Sequence, residues 1–437
     1  MTSPPQSAGS ASVSVDPRRV ESLDWWEAQF AFWCAEQPTD AAHDVEHFRR
    51  VSTTARTIAV PEGAALEVVI PAAWLHDCVH VAKDSPDRAG ASQLSAEYAV
   101  RILADWGYPS VWHDGIAHAI EAHSFSAGIP ARSLEARVVR DADLEIEQDE
   151  AERLYADMGP AIEISGGSAA NTAFGVGSFG GRAAYIGKVA DDQFGQVFRH
   201  DIRANGIAFE TEITSSGQPT ARSFILVTPD GERTMNTALG ACQELGPDDV
   251  PESLIRQSRI VYLEGYLFDR PEAKKAFYRA ADLARAAGGR VSLTLSDSFC
   301  VDRYRAEFLD LIRSRIDILF ANTQEITALY ETDFAAACEL VRSDVGIAAV
   351  TRSELGSLVI SGNATVEIPP EPISGLVDTT GAGDLYAAGF LYGLARNAPP
   401  AVCGQLASLA ASEAIGHIGA RPERSLLQLA RQASIYI

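Results

Sequence analysis

The sequence predicts an α + α/β protein, in which an all-helical N-terminal domain precedes an α/β domain with a mostly parallel sheet. Up to about residue 143, apolar residues recur at helical spacing. Beyond about residue 156, short β-branched runs alternate with alanine-rich amphipathic segments, as strands and helices do in α/β proteins. We therefore divide the chain into a disordered leader (1–20), a helical domain (21–146) and an α/β domain (147–437).

The composition is that of a globular chain with room for two or three domains, since 437 residues include 46% hydrophobic and 22% charged side chains. The formal net charge of −23 argues against nucleic acid as a partner, because binding its phosphate backbone requires a basic face. A nucleotide substrate stays possible, because such sites use local backbone amides and Mg²⁺.

Other features of the composition concern the compartment. The six cysteines are scattered without a CxxC pair, which indicates free thiols in a reducing environment. The leader is small, polar and rich in Ser and Pro, and it lacks the apolar core of a secretion signal. No apolar run approaches the roughly 18 residues that a membrane span needs. We therefore expect a cytoplasmic protein with no membrane partner.

The helical segments carry an ordered set of histidines and aspartates. Trp26, Phe30 and Trp33 share one helix face and are interpreted as core rather than as a cofactor site. Imidazoles and carboxylates that converge from different helices suit a divalent cation. A single histidine is more often a surface or hydrogen-bonded residue, so the prediction depends on the whole set. Its members are His47, His76, Asp77 and Asp143.

This set, in the contexts AHDVEHFRRV, WLHDC, AHSFS and DADL, resembles the HD-domain metal-dependent phosphohydrolases over about residues 24–144. The resemblance implies that the set holds a divalent metal of unknown identity, with Asp141 as a second candidate for its last position. It implies auxiliary roles, in contacting phosphate or a second metal, for His118 and His123. The implied chemistry is metal-assisted hydrolysis of a phosphate ester.

In the α/β part, the pattern predicts helices at 271–288 and 306–315, and strands at 183–189, 223–229, 259–268, 290–298, 316–322 and 347–352. The segment 175–180 fits GxGxxG, the dinucleotide-binding fingerprint. That fingerprint requires a strand before it and a helix after it, and here the order is reversed. We interpret these glycines as permitting a helix end to pack closely on the sheet.

The strongest chemical signal is DTTGAGD, which precedes an apolar, alanine-rich helix. The turn Gly381-Ala382-Gly383 places unpaired backbone N–H groups at a helix start, where they can bind the charge on a transferred phosphoryl group. Asp384 is placed to accept the proton of an attacking hydroxyl group. The chain contains no GxxxxGK[ST], so it is not a P-loop enzyme.

DTTGAGD, together with GGSAANTA, ANTQEITALY and VTRSELGS in this order, resembles the ribokinase (PfkB, carbohydrate and nucleoside kinase) family over about residues 150–437. GGSAANTA and SDSF favour its adenosine-kinase-like branch. The resemblance implies Mg²⁺- and ATP-dependent phosphorylation of a sugar or nucleoside, and a possible homodimer. It implies that Gly166, Gly167 and Asn171 contact the sugar, and that Arg222 contacts a phosphate. It implies that Asp378 and Thr380 belong to the anion-hole segment. The residues implied to contact Mg²⁺ and the nucleotide are Asn322, Glu325, Thr351, Gly356 and Thr379.

The junction between the two domains is short. Members of the kinase family open with an interior strand that carries a sugar-binding Asp, together with lid strands, and the HD family continues its helices beyond the last metal ligand. We therefore expect a fusion in which the opening strand and part of the lid are missing. As an alternative, residues 136–146 replace that strand, with Asp143 as its sugar-binding residue. Three functions stay open: a kinase, an HD-type phosphohydrolase, or a fusion with one or both sites inactive.

Overall fold

A computed structural model of the chain describes residues 22–36, 45–79, 90–123, 129, 131–144, 155, 158–159, 161–214, 217–227, 233–373 and 375–436. The chain divides into two compact units, Met1–Glu147 and Gln148–Ile437. The leader expected at 1–20 lies outside the described residues. Among the helices of the described ranges, none is long and apolar enough to cross a membrane.

The first unit is helical, as predicted. Its described helices are α1 (Leu23–Glu36), α2 (Val45–Glu62), α3 (Leu66–Leu75), α4 (Ala91–Trp106), α5 (His113–Glu121) and α6 (Leu134–Leu144). Trp26 and Phe30 are buried in its core and Trp33 packs against that core, which confirms the interpretation of this aromatic face.

The alternative opening strand at 136–146 is wrong over its described part, because α6 continues through residue 144. Ala136, Val138 and Val139 are fully buried in the core of the helical unit. Helix α6 packs against α2, α3 and α5. Burial of these apolar side chains among the other helices favours the helical conformation over an extended one.

The second unit is built around a six-stranded sheet with the order β10-β9-β8-β7-β6-β5. These strands are β5 (Ile260–Glu264), β6 (Arg290–Thr294), β7 (Ile318–Asn322), β8 (Ile347–Thr351), β9 (Ser357–Ser361) and β10 (Ala364–Ile368). Strands β5 to β8 are parallel to one another, whereas β9 and β10 join antiparallel. The mostly parallel sheet is therefore confirmed, and β9 and β10 are strands that the sequence analysis did not identify.

The described helices of the second unit are α7 (Ser168–Ser178), α8 (Gln193–Ala204), α9 (Glu252–Gln257), α10 (Pro271–Ala286), α11 (Ser298–Arg315), α12 (Thr323–Tyr330), α13 (Phe334–Asp344), α14 (Ala382–Ala395), α15 (Pro400–Ala414) and α16 (Leu426–Gln432). The sheet is covered on both faces. In β7, Leu319 and Ala321 join the core formed with α10 to α13, while Ile318 and Phe320 join the core formed with α14 and α15. This alternation is the period of two of a strand that is buried on both sides.

Two small sheets complete the unit. Strands β1 (Ala184–Tyr185) and β2 (Ala208–Phe209) are parallel, and β3 (Arg222–Val227) and β4 (Arg233–Ala238) form an antiparallel pair. The strand predicted at 223–229 is thus β3, and it belongs to this pair rather than to the main sheet. Among the described strands, β5 has one hydrogen-bonded neighbour, β6, and forms an edge of the main sheet. Loss of an interior opening strand would leave such an edge.

Gly175, the first glycine of segment 175–180, serves a helix–helix contact. A Cβ atom on Gly175 would lie 2.6 Å from the Cβ of Ala388 in α14 and 3.1 Å from Leu385 Cδ1. The predicted close packing is therefore present, but its partner is a helix and not the sheet. This contact fixes the distance between α7 and α14, the two helices that carry the candidate active site.

Candidate active site and metal centre

The predicted anion hole is a turn that leads directly into α14. Gly381 has a φ of +79°, in the left-handed region that favours glycine. A Cβ atom on Gly381 would lie 2.5 Å from the Cβ of Ala420, so a larger residue does not fit. Ala382 and Gly383 form the first turn of the helix, where backbone N–H groups have no carbonyl partner within the helix. The N–H of Ala382 donates to the carbonyl of Thr379 outside the helix, at 3.3 Å. The arrangement can bind a negatively charged oxygen.

Asp384 lies in this first turn and is held by α7. Ser168 Oγ donates a 2.7 Å hydrogen bond to Oδ1 of Asp384, and Asn171 Nδ2 donates a 2.9 Å hydrogen bond to Oδ2. Thr172 Oγ1 donates to the backbone carbonyl of Asp384 at 3.1 Å. Helix α7 begins after Gly167, whose φ of +94° turns the chain into the helix. Both carboxylate oxygens are therefore oriented by fixed donors.

Burial raises the pKa of Asp384 to about 6, against the opposing effects of the Asn171 and Ser168 hydrogen bonds and of the Arg233 charge. Arg233, at the start of β4, also donates a hydrogen bond to Thr379 Oγ1. The Asp384 carboxylate is therefore a stronger base than an ordinary aspartate, yet it is still ionised at neutral pH.

Asp378 joins the anion-hole segment to the loop after α15. Its Oδ1 accepts hydrogen bonds from the N–H of Thr380 at 2.9 Å and from Thr380 Oγ1 at 2.6 Å. Its Oδ2 accepts the N–H of Gly419 at 3.0 Å. Although burial opposes ionisation, these hydrogen bonds hold the pKa of Asp378 below its ordinary value. The segment before Gly381 is thus tied to a second loop.

Glu264 is an acidic group at this site that the sequence analysis missed. It stands at the carboxyl end of β5, and its Oε1 accepts the N–H of Tyr266 at 2.8 Å and the hydroxyl of Ser296 at 3.0 Å. Burial, with a smaller contribution from the charge of Asp384, raises the pKa of Glu264 to about 7 against the lowering effect of these two hydrogen bonds. The strand predicted at 259–268 placed Glu264 in its interior, whereas β5 ends at Glu264. The prediction therefore did not put Glu264 at the carboxyl end of a strand, where ligands of α/β sheets bind.

Asn322 and Glu325, predicted to organise Mg²⁺ and phosphate, form a capping box at the start of α12. Glu325 Oε2 accepts the N–H of Asn322 at 2.9 Å, and Glu325 Oε1 accepts Asn322 Nδ2 at 2.7 Å. In return, Asn322 Oδ1 accepts the N–H of Glu325 at 2.8 Å. Burial raises the pKa of Glu325 to about 7. The structure therefore gives the pair a helix-capping function, and their contact with Mg²⁺ stays a prediction.

Three other predicted contact residues lie at turns or in open space. Thr351 ends β8, and its Oγ1 lies 3.5 Å from the carbonyl of Ala321. Gly356 has a φ of +76°, and a Cβ atom there would lie 2.1 Å from the carbonyl oxygen of Ile368. A Cβ atom on Gly166 would meet no atom within 4 Å. Their nucleotide and sugar contacts stay predictions.

Arg222, the predicted phosphate partner, has described contacts elsewhere. Its guanidinium carbon lies 5.6 Å from the centroid of the Phe194 ring, and its charge lowers the pKa of Asp192 as one of several smaller influences. The guanidinium that acts on Asp384 belongs to Arg233 instead. Arg233 was not predicted, because it lies at the start of β4, a strand that the sequence pattern does not reveal. A phosphate contact for Arg222 stays a prediction.

The helical unit brings three of the four predicted metal ligands together. His47 lies in α2, and its Nε2 is 3.1 Å from Nε2 of His76, which caps the end of α3. Donor atoms of His76, Asp77 and His123 all lie within 4.8 Å of one another. His123, predicted as an auxiliary residue, is therefore part of the cluster, with its Nε2 3.4 Å from Asp77 Oδ1.

The tautomers of two buried histidines suit a metal. Nδ1 of His76 donates to the carbonyl of Ala73 at 2.8 Å, and Nδ1 of His123 donates to the carbonyl of Ile120 at 2.6 Å. A carbonyl oxygen only accepts, so Nδ1 of each ring carries a proton, and Nε2 is the atom through which each ring would bind a cation when the ring is neutral. Backbone hydrogen bonds of this kind orient histidine ligands in metal sites. The donor set therefore fits a divalent cation.

The other candidates of the helical unit are placed differently. His118 Nε2 accepts the backbone N–H of Arg132 at 3.0 Å, and His118 does not belong to the described cluster. Asp143 lies in the last turn of α6, but the side chains of Asp141 and Asp143 lie outside the described residues. Their ligand roles stay predictions.

Comparison with known proteins identifies a family for each part of the chain. Residues 162–425 match the model of the pfkB family carbohydrate kinases, and residues 44–145 match that of the HD domain. The crystal structure of adenosine kinase from Sinorhizobium meliloti has 57% sequence identity and a TM-score of 0.65, over 66% of this chain and 89% of that one. A probable sugar kinase protein from Rhizobium etli CFN 42 has 52% identity and a TM-score of 0.65, over 67% and 89% of the two chains.

A relative of more distant origin is the ATP-dependent ribose-1-phosphate kinase of Halopiger xanaduensis, which is 34% identical over 232 residues, 52% of this chain and 73% of that protein. The structural matches establish the ribokinase-like α/β fold of the second unit. The chain therefore belongs to the pfkB family of carbohydrate kinases, a family of sugar and nucleoside kinases, and it carries an HD domain in its N-terminal part.

Proposed function

We propose that the α/β unit catalyses ATP- and Mg²⁺-dependent transfer of a phosphoryl group to a hydroxymethyl group of a sugar or nucleoside. The observation that carries the proposal is the position of Asp384. Its carboxylate is oriented by Ser168 and Asn171 and stands in the first helical turn after Gly381. A base and an oxyanion-binding turn are thus adjacent, as transfer to a hydroxyl group requires.

In this mechanism, Asp384 accepts the proton of the acceptor hydroxyl as the new P–O bond forms. Ser168 and Asn171 keep the carboxylate in one orientation. The N–H groups after Gly381 bind the charge that develops on the transferred group, and the nearby Arg233 guanidinium adds a positive charge. When bound, Mg²⁺ with ATP supplies charge neutralisation on the phosphates, near the end of the sheet where Asn322 and Glu325 lie.

Adenosine is the first acceptor to test. The support is the 57% identity to the adenosine kinase of Sinorhizobium meliloti, beside the 34% identity to a ribose-1-phosphate kinase. The pair β3–β4 acts as the part of the lid that this chain retains, because Arg233 at the start of β4 reaches Thr379 of the anion-hole segment. A homodimer stays a prediction.

The test is ADP formation from Mg-ATP by the full chain, with adenosine, other nucleosides, ribose, fructose and ribose 1-phosphate offered singly. Saturable ADP formation that depends on one acceptor supports the proposal and identifies that acceptor. Folded protein that binds ATP but forms no ADP with any acceptor would contradict it. That outcome would favour the third reading, a fusion whose kinase site is inactive.

The second candidate function is a metal-dependent phosphohydrolase in the helical unit. It is favoured by the cluster of His76, Asp77 and His123, with His47 Nε2 3.1 Å from His76 Nε2. In His76 and His123, Nδ1 donates to a backbone carbonyl, which leaves Nε2 of each ring to face a cation. When bound, a divalent cation supplies Lewis-acid activation of a phosphate ester. The chain's own contribution is to hold neutral imidazoles and one carboxylate at a single point.

A further inference from the structure

A buried carboxylate outside the site, Glu413, organises the loop after α15. The side chain is 4% exposed and belongs to the last turn of α15. Its Oε1 accepts the N–H groups of Glu423 at 3.1 Å and of Arg424 at 2.9 Å. Its Oε2 lies 3.3 Å from Nε2 of His417. One carboxylate thus closes the chain from residue 416 to 424 into a loop, which we call the clamp loop.

The clamp loop meets the anion-hole segment at two points, and the residue before the loop adds a third contact. The N–H of Gly419 donates to Oδ2 of Asp378 at 3.0 Å. Ala420 packs on Gly381 so closely that a Cβ atom on Gly381 would lie 2.5 Å from the Cβ of Ala420. Directly before the loop, the carbonyl of Ile415 accepts the N–H of Val377 at 2.9 Å. The backbone around Gly381 therefore depends on where the clamp loop lies.

We propose that Glu413 is a positioning residue for phosphoryl transfer, which sets the geometry of the anion hole through the clamp loop. This inference rests on the proposed kinase function. Glu413 itself does not touch Asp384 among the described contacts. It acts through Gly419 and Ala420, which support the turn at Gly381.

The physical reason is that one oxygen of the buried Glu413 carboxylate accepts the N–H groups of both Glu423 and Arg424. Losing this carboxylate removes the acceptor that holds both groups at the end of the clamp loop. When the loop opens at residues 423–424, Gly419 and Ala420 can move away from the anion-hole segment. Gly381 then loses the packing of Ala420, which supports its left-handed conformation. Displacements of about 1 Å at a reacting centre cost about 100-fold in rate.

Two variants separate this role from simple stabilisation. Glu413→Gln keeps an oxygen that can accept both backbone N–H groups, whereas Glu413→Ala keeps none. Val341→Ala serves as the matched control, because Val341 is a fully buried residue of α13 in the core on the opposite face of the sheet. Its truncation destabilises the same unit without touching the clamp loop.

The first measurement is amide hydrogen exchange of the folded proteins, which needs no activity. In Glu413→Ala we expect faster exchange both in residues 416–424 and in residues 377–384, and near wild-type exchange of both in Glu413→Gln and Val341→Ala. Faster exchange in 416–424 alone, with 377–384 unchanged, would overturn the proposal. This result would be informative even if the chain proved inactive as a kinase.

The second measurement is the steady-state kinetics with the acceptor found for the wild type. Glu413→Ala should lower kcat by about 100-fold with little change in KM for ATP, and Glu413→Gln should restore most of the loss. A purely structural role predicts instead that Glu413→Ala and Val341→Ala lose activity in proportion to their loss of folded protein.

Discussion

Asn171 Nδ2 donates a 2.9 Å hydrogen bond to Asp384 Oδ2, across 213 positions of sequence. The contact joins the GGSAANTA motif to the DTTGAGD motif, the two elements that the sequence analysis had connected only through a family resemblance. It exists because α7 and α14 pack closely at Gly175 and Ala388. The candidate base is therefore positioned by helix packing in the second unit, and this relationship underlies the first three predictions.

Replacing Asn171 by Ala should lower kcat/KM by roughly 10-fold or more, because a hydrogen bond to a charged group contributes about 1.5–3 kcal/mol. The same substitution should move the acidic limb of the pH profile upward, since that hydrogen bond lowers the pKa of Asp384. Steady-state rates between pH 5 and 9 measure both effects. If the variant is slower but the acidic limb of its pH profile does not shift, Asn171 does not act on the ionisation of Asp384.

The wild-type kcat/KM should rise with pH through an apparent pKa near 6. Burial raises the pKa of Asp384 to about 6, and only the ionised carboxylate can accept a proton. Activity is therefore lost as the pH falls below this value and is retained above it. A rate that stays constant from pH 5 to 7 under subsaturating acceptor would contradict the role of this carboxylate as the base.

Gly175→Ala should separate α7 from α14, because the new Cβ atom would lie 2.6 Å from the Cβ of Ala388. Overpacking of this kind costs about 1–3 kcal/mol of folding free energy. We expect a lower thermal midpoint and also a lower kcat, since Ser168 and Asn171 move away from Asp384. Gly375→Ala is the control, because a Cβ atom there meets nothing within 4 Å. Equal kcat values for the two variants would argue against this packing as the determinant of the site.

The helical unit should bind a divalent transition metal through His76, Asp77 and His123. We expect about one metal ion per chain after purification without chelator, and its loss in His76→Ala. His118→Ala is the control, because His118 accepts the N–H of Arg132 and does not belong to the described cluster. Elemental analysis of the three proteins gives the answer. A wild type that stays free of metal after incubation with Mn²⁺, Ni²⁺ and Zn²⁺ would remove the phosphohydrolase candidate.

Much of the fold could be predicted from the sequence because its signals are local. The spacing of apolar residues predicts the helices before residue 143 and the strands β5 to β8. Strands β2, β4, β9 and β10 were missed. Strand β10 has mostly exposed or half-buried side chains and pairs by a short connection to β9, so its sequence carries little apolar pattern.

The site was predicted in part, for the same reason. Asp384 and Gly381 belong to one contiguous motif, so a local pattern in the sequence identifies them. Arg233 and Glu264 come from separate elements and meet Asp384 only through tertiary structure, so no local pattern could identify them. His123 was predicted as an auxiliary residue. It lies within the cluster of candidate metal ligands, because the chain just after α5 lies beside His76.

The central claim is that Asp384 is the base of a phosphoryl transfer. Its most direct test compares ADP formation by wild type and Asp384→Asn under saturating Mg-ATP and acceptor, with ATP binding measured for both. We expect the variant to bind ATP as the wild type does and to turn over at least about 100-fold more slowly. Equal turnover by the two proteins would contradict the account.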